Sequence, residues 1–371
     1  MGVVIINEPQ GIYPVYNDSY ITFTNDTGIS DYAEIVFFPE SQFVKPFRLY
    51  PDLDGEYIFN MKNIVKSVLN KEKFNDSGFN DSGFFSVNDS GYLSQDIVIN
   101  VYAGSSVETL SKTFEFFKSV KQVGEKVFEN RMEILSDSVN GVDYNLTYWE
   151  GFPFHFELKR VDIDGSGKNV KIKNLNSNDE TVDMLVEESG KFRVNIDNSD
   201  NDNFTQSQFL PLINGLNRLE VFVENDFVVN LNLMKRKDCQ GVYLKWYNNQ
   251  GGYSYFLFER FKEVDVSTDN RGFVSSNAFE NVGGFSSSMR TTGKEAFKSF
   301  VVRARCNADE LKLLEGLVVS PFVQMYSSEI PNIKGNFIDV KIDDSISYST
   351  KRNKNEVVFA IELPELKTIT F

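Results

Sequence analysis

The clearest periodicity in the chain lies in Val242–Glu259, where two aromatic runs flank the polar knot Asn248-Asn249-Gln250-Gly251-Gly252. Val242, Leu244 and Trp246 fall on one face of the first run, and Tyr243, Lys245 and Tyr247 on the other. The second run, Tyr253 to Phe258, is apolar on both faces apart from Ser254. A period of two bounded by Asn and Gly predicts a β-hairpin, since both residues tolerate the positive φ of a tight connection. An element apolar on both faces must be covered on both, so the hairpin belongs in the middle of a packed sheet, with Trp246 in the core.

Alternation recurs along most of the sequence. Val3–Ile6, Tyr20–Thr24, Ala33–Phe38, Tyr57–Phe59 and Ile97–Tyr102 read as strands, with Pro9, Pro14, Pro39, Pro46 and Pro51 at edges and turns. Thr113–Phe117, Tyr144–Trp149, Phe152–Leu158, Val182–Val186, Phe192–Ile196, Arg218–Val223 and Phe227–Leu233 form a second group. Phe297–Ala304, Phe322–Tyr326, Phe337–Ile342, Ile346–Thr350 and Val357–Leu363 form a third, after a loose Ser/Asn/Gly-rich stretch at Ser267–Lys294. Helical spacing appears in Asn63–Asn70 and in a Leu-rich segment opened by Asn307-Ala-Asp-Glu310, an N-cap with the capping-box glutamate. The expected class is mainly β: two or three sandwich-like domains in series, with the longest helix near Ala308–Gly316. Gly104-Ser105-Ser106 reads as a junction, giving domains 1–104, 105–235 and 236–371.

Asn-Asp-Ser-Gly recurs at Asn75, Asn80 and Asn88, each copy followed by an aromatic residue (Phe79, Phe84, Tyr92). Each copy reads as a turn, because Asp and Ser bond their own backbone and Gly supplies positive φ. A mobile surface loop presenting aromatics to a partner or a glycan is the functional alternative.

Charge narrows the function classes. Lys and Arg number 38 against 53 Asp and Glu, a net −15, with no basic stripe, which argues against binding nucleic acid or an anionic membrane. No apolar run is long enough to span a bilayer, and the opening residues read as a strand rather than a leader. Two cysteines, Cys239 and Cys306, do not make a disulfide framework. Triplets such as Asn75-Asp-Ser and Asn145-Leu-Thr are therefore read as unmodified.

Catalytic constellations do not emerge. His155 is the single histidine, so a multi-histidine metal site is excluded, and no Gly-x-Ser-x-Gly elbow supplies a nucleophile for a triad. Its neighbours Phe154 and Phe156 place it in a strand, as a structural residue. Gly283-Gly284 lacks the strand–loop–helix context of a phosphate cradle. Asp162-Ile-Asp164-Gly165-Ser166-Gly167 begins like a calcium loop, but Lys173 stands where its last ligand, a bidentate glutamate, is needed, so it reads as a turn. Asp197–Asn203 is a weaker candidate of the same kind. No catalytic, cofactor-binding or metal residue is assigned.

Three segments carry a resemblance. Trp246, Asn248, Gly251, Tyr253, Phe256 and Phe258 match a Trp-x-Asn…Gly-x-Tyr-x-x-Phe-x-Phe pattern, with Tyr247 and Ser254 in place of the usual Leu and Asp. Trp149-Glu150-Gly151-Phe152-Pro153-Phe154 is a second shared element. Ser320-Pro321-Phe322-Val323, Val340-Lys341-Ile342-Asp343 and Ile361-Glu362-Leu363 form a third, and the opening Ile12–Asn17 is also similar. Together they resemble virion structural proteins of tailed phages of Bacteroidota hosts, crAss-like phages among them. The resemblance implies a non-enzymatic ring or adaptor in the tail, neck or baseplate, made in the bacterial host cytoplasm and carried in the virion. Its partners would be further copies of itself and other virion proteins. Two alternatives stay open: a carbohydrate- or receptor-binding virion protein, and a glycan depolymerase with two carboxylates across a cleft.

Overall fold

The computed structural model describes residues 2–26, 30–38, 46–72, 74, 84–88, 91–122, 132–137, 142–160, 167–186, 190–197, 210–237, 240–275, 289–327, 336–342 and 355–364. It is mainly β, with several sheets in series and, among the described residues, two α-helices. The chain forms two interleaved compact units. One comprises Met1–Tyr148, Pro153–Lys235 and Asn248–Tyr253, the other Trp149–Phe152, Arg236–Tyr247 and Ser254–Phe371. This partition differs from three consecutive domains, because the hairpin at 242–258 divides between the units, its tip in the first and its strands in the second.

In the first unit a three-stranded sheet, β1 (Val3–Asn7), β3 (Tyr20–Asn25) and β6 (Glu56–Asn60), shares a core with a five-stranded sheet. The latter runs β2 (Ile12–Pro14), β9 (Ser106–Phe117), β8 (Tyr92–Ala103), β4 (Tyr32–Phe38), β5 (Phe47–Leu49). Ile21, Phe23, Tyr57, Ile35, Phe37, Ile97, Ile99 and Phe116 meet between them, and helix α1 (Lys62–Leu69) adds Val65 and Leu69. Gly104, expected at a junction, instead sits at φ +61° in the turn joining β8 to β9, whose pairing starts at Ala103↔Ser106. The polar Gly-Ser-Ser composition there serves a hairpin turn.

Two further sheets follow in this unit. One has the order β10 (Met132–Ile134), β12 (Phe154–Arg160), β16 (Gly190–Asp197), β7 (Phe85–Asn88). The other runs β11 (Asp143–Trp149), β18 (Asp226–Arg236), β17 (Gly215–Val223), β13 (Lys168–Asn174), with β14 (Asp179–Glu180) and β15 (Met184–Val186) both paired to β13. Glu224 and Asn225 join β17 to β18 with φ of 52° and 74°, the paired positive values of a type I′ hairpin turn.

The second unit is built on β19 (Val242–Tyr247) and β20 (Tyr253–Ser275), which stand third and fourth in a seven-stranded sheet, as their apolar faces require. The full order is β23 (Asn336–Asp339), β22 (Val323–Ser327), β19, β20, β21 (Met289–Cys306), β25 (Asn355–Glu362), β24 (Lys341–Ile342). Its two edge strands are consecutive in the chain, separated by Val340 alone. Asp339 pairs with Gln324 of β22, and Lys341 with Glu362 of β25, so 336–342 acts as one strand that closes the sheet on itself. Closure removes the exposed edges. Val357, Phe359 and Ile361 of β25 are buried while Glu356 and Val358 are exposed, the alternation of a sheet with one inner face.

Helix α2 (Ala308–Val318) has the expected capping box: Asn307 accepts from the Glu310 amide at 2.8 Å, and Glu310 accepts from the Asn307 amide at 3.0 Å. It buries Leu311, Leu314 and Leu317. The stretch read as loose from Ser267 is, over its described parts, strand: 267–275 belong to β20 and 289–294 to β21. Hairpin pairing overrides the low β-propensity of Ser, Asn and Gly there. The expected strand Ile346–Thr350 lies outside the described residues.

Candidate functional site

Strand β12 is buried at every position, although from Phe154 to Lys159 its sequence alternates between apolar and ionisable, and Arg160 adds one more charge at its end. Phe154, Phe156 and Leu158 point one way; His155, Glu157 and Lys159 point the other. Across the ladder, β16 sets Asn195, Arg193 and Lys191 opposite His155, Glu157 and Lys159, and β10 sets Glu133 opposite Lys159. The result is a sheet face made of charges and sealed from water.

Glu157 is the hub. Its side chain is fully buried; Oε1 accepts from Arg193 Nη2 at 2.9 Å and Oε2 from Lys191 Nζ at 2.9 Å. A third donor, the Tyr253 backbone N–H, reaches Oε2 at 3.1 Å. A buried carboxylate is tolerated only with such compensation, because desolvation otherwise outweighs Coulomb attraction. The Tyr253 ring lies 5.1 Å from Lys191 Nζ and 5.8 Å from the Arg193 guanidinium carbon. Its π face favours both cations. His155 sits at the rim, its Nε2 3.9 Å from Glu157 Oε1 and its ring edge-on to Tyr253. The structural role expected for His155 is thus a polar one within a charge cluster.

The hairpin tip closes this face. Asn248 organises it: Oδ1 accepts from the Gln250 and Gly252 amides at 3.0 and 3.1 Å, and Nδ2 donates to the Leu135 carbonyl at 2.9 Å. Both glycines are required by close approach. A Cβ on Gly252 would lie 2.5 Å from Leu135 O and 3.1 Å from Glu157 Oε2. One on Gly251, at φ +89°, would lie 2.5 Å from the Phe117 ring. Further bonds pin the tip: the Val120 amide donates to Asn249 O at 2.8 Å, Lys121 Nζ to Gln250 Oε1 at 2.5 Å, and Tyr253 Oη to Phe74 O at 2.6 Å. The sequence pattern marked this knot as a turn. That it is a plug over buried charge was not readable, because its targets lie about a hundred residues upstream; the signal was Gly-Gly beside Asn in a polar tip that is itself buried.

Lys159 is 1% exposed, with Nζ 4.6 Å from the centre of the Phe117 ring. Burial pulls its pKa down to about 7, against the opposing pull of Glu133. Burial likewise raises Glu133, against Lys121 and Lys159. A lysine titrating near neutrality has the basicity of a general base. This one is enclosed by protein and out of reach of a substrate.

The remaining candidates separate cleanly. Both tryptophans are buried, Trp149 against Tyr243 and Phe256, Trp246 at 0% exposure. Trp246 Nε1 makes no hydrogen bond and faces Gly316 of α2, whose added Cβ would stand 3.6 Å away. Cys306 is a buried free thiol, its pKa pushed up to about 12 by desolvation. Lys173 lies in β13 opposite Glu180 and Glu220. Asp162, Asp164, residues 198–203, Cys239, Gly283, Gly284 and the repeats at Asn75 and Asn80 lie outside the described residues; Asn88 ends β7. Among the described residues no cluster of three or more His, Cys, Asp or Glu is placed to hold a metal ion. A cleft of about 350 Å³ in the second unit is lined by Phe297, Asp339, Val340, Lys341, Glu362, Leu363 and Pro364. Asp339 accepts from Gln324 at 2.9 Å, and Glu362 pairs with Lys341 at 3.2 Å.

No family model and no curated protein matches the chain. Among solved structures, the ectodomain of the polymeric Ig receptor of a teleost fish matches with 9% identity and a TM-score of 0.22, over 64% of this chain and all of that one. At that score the likeness carries no argument.

Proposed function

We propose that this chain is a non-enzymatic structural subunit of a tailed-phage virion, a ring or adaptor component of the tail, neck or baseplate. The observation that supports this reading is the fate of its most distinctive residues. Trp149, Trp246, Tyr253, Phe256 and Phe258 of the resembling motifs, and the single histidine, are all buried and engaged in packing, hydrogen bonds or charge neutralisation. Aromatics that read sugars must face solvent. The motifs therefore build the fold, and function falls to the outer surfaces, where further copies and other virion proteins would bind. Quantitative mass spectrometry of particles purified from an infected culture tests this. Peptides of this chain should appear at a fixed ratio to the other virion components after density-gradient purification. Their absence from particles, or strong and specific glycan-array binding by the purified protein at single-subunit mass, would replace this reading with another.

A further inference from the structure

We draw no further inference here: the strongest candidate, the outer face of the β1–β3–β6 sheet, where Val4, Ile6, Tyr20 and Ile58 stand exposed, is an apolar patch and nothing in the structure shows what covers it.

Discussion

Replacing Glu157 with Gln keeps the shape of the hub and removes its charge. Lys191 and Arg193, 4% and 2% exposed in their side chains, then lose the carboxylate that both contact in a site sealed from water. Each lost contact was a charge-assisted bond of 2.9 Å. Such bonds contribute about 1.5–3 kcal/mol apiece, and breaking a buried pair from one side costs about 3–5 kcal/mol. We expect a loss within that range, because two charge-assisted bonds are lost at once. For a unit of this size each kcal/mol moves the midpoint by about 2–4 °C, so Glu157→Gln should melt on the order of 10 °C lower. Hydrogen exchange supplies the local readout: the Tyr253 amide, held by Glu157 at 3.1 Å, should lose protection before the rest of the hairpin. A Glu157→Gln protein melting within about 2 °C of wild type, a shift worth roughly 1 kcal/mol or less, would refute the reasoning.

Further outcomes follow from the same geometry. Gly252→Ala, which drives a Cβ to 2.5 Å from Leu135 O, should cost several kcal/mol, whereas Gly11→Ala, at φ +60° with nothing within 4 Å, should cost about 1 kcal/mol; thermal melting compares them. Trp246→Ala should destabilise by roughly 3–5 kcal/mol, and Trp246→Phe by clearly less, because Phe deletes a buried N–H that has no acceptor. Lys159 carries a pH signature. Its folded pKa of about 7 lies below the ordinary lysine value of 10.5, so below pH 7 both folded and unfolded states hold the proton and the burial penalty is full. Between pH 7 and 10.5 the unfolded state binds more protons, and this group's contribution to stability rises with pH. Lys159→Met should therefore stabilise most at pH 6 and progressively less towards pH 10, as read from paired melting curves; a constant or growing advantage would contradict the assignment.

The strand phases, the α2 capping box and the burial of Trp246 were legible because each depends on local spacing. Asn307 and Glu310 are three residues apart, and Val242, Leu244 and Trp246 alternate within one strand. What was not legible depends on distant chain. His155, Glu157 and Lys159 alternate with Phe154, Phe156 and Leu158, the pattern of a half-exposed strand; the arrival of Tyr253 over Glu157 and of Phe117 over Lys159 turns their face inward. Ser267–Ser275 read as loose because Ser, Asn and Gly are poor strand formers, yet the β21 register holds them. Closure of the second-unit sheet rests on Val340 passing between two ladders, and no local pattern encodes that. The identical composition of a turn and a linker, Gly-Ser-Ser, explains the junction expected at Gly104.

The claim that this chain acts through contacts between copies is tested most directly by native mass spectrometry of the wild-type protein over a range of concentrations. A 42.4 kDa subunit built for assembly should give a discrete oligomer at an integer multiple of that mass, growing in as concentration rises. A spectrum that stays at 42.4 kDa throughout, in a protein that is folded and stable, would contradict it.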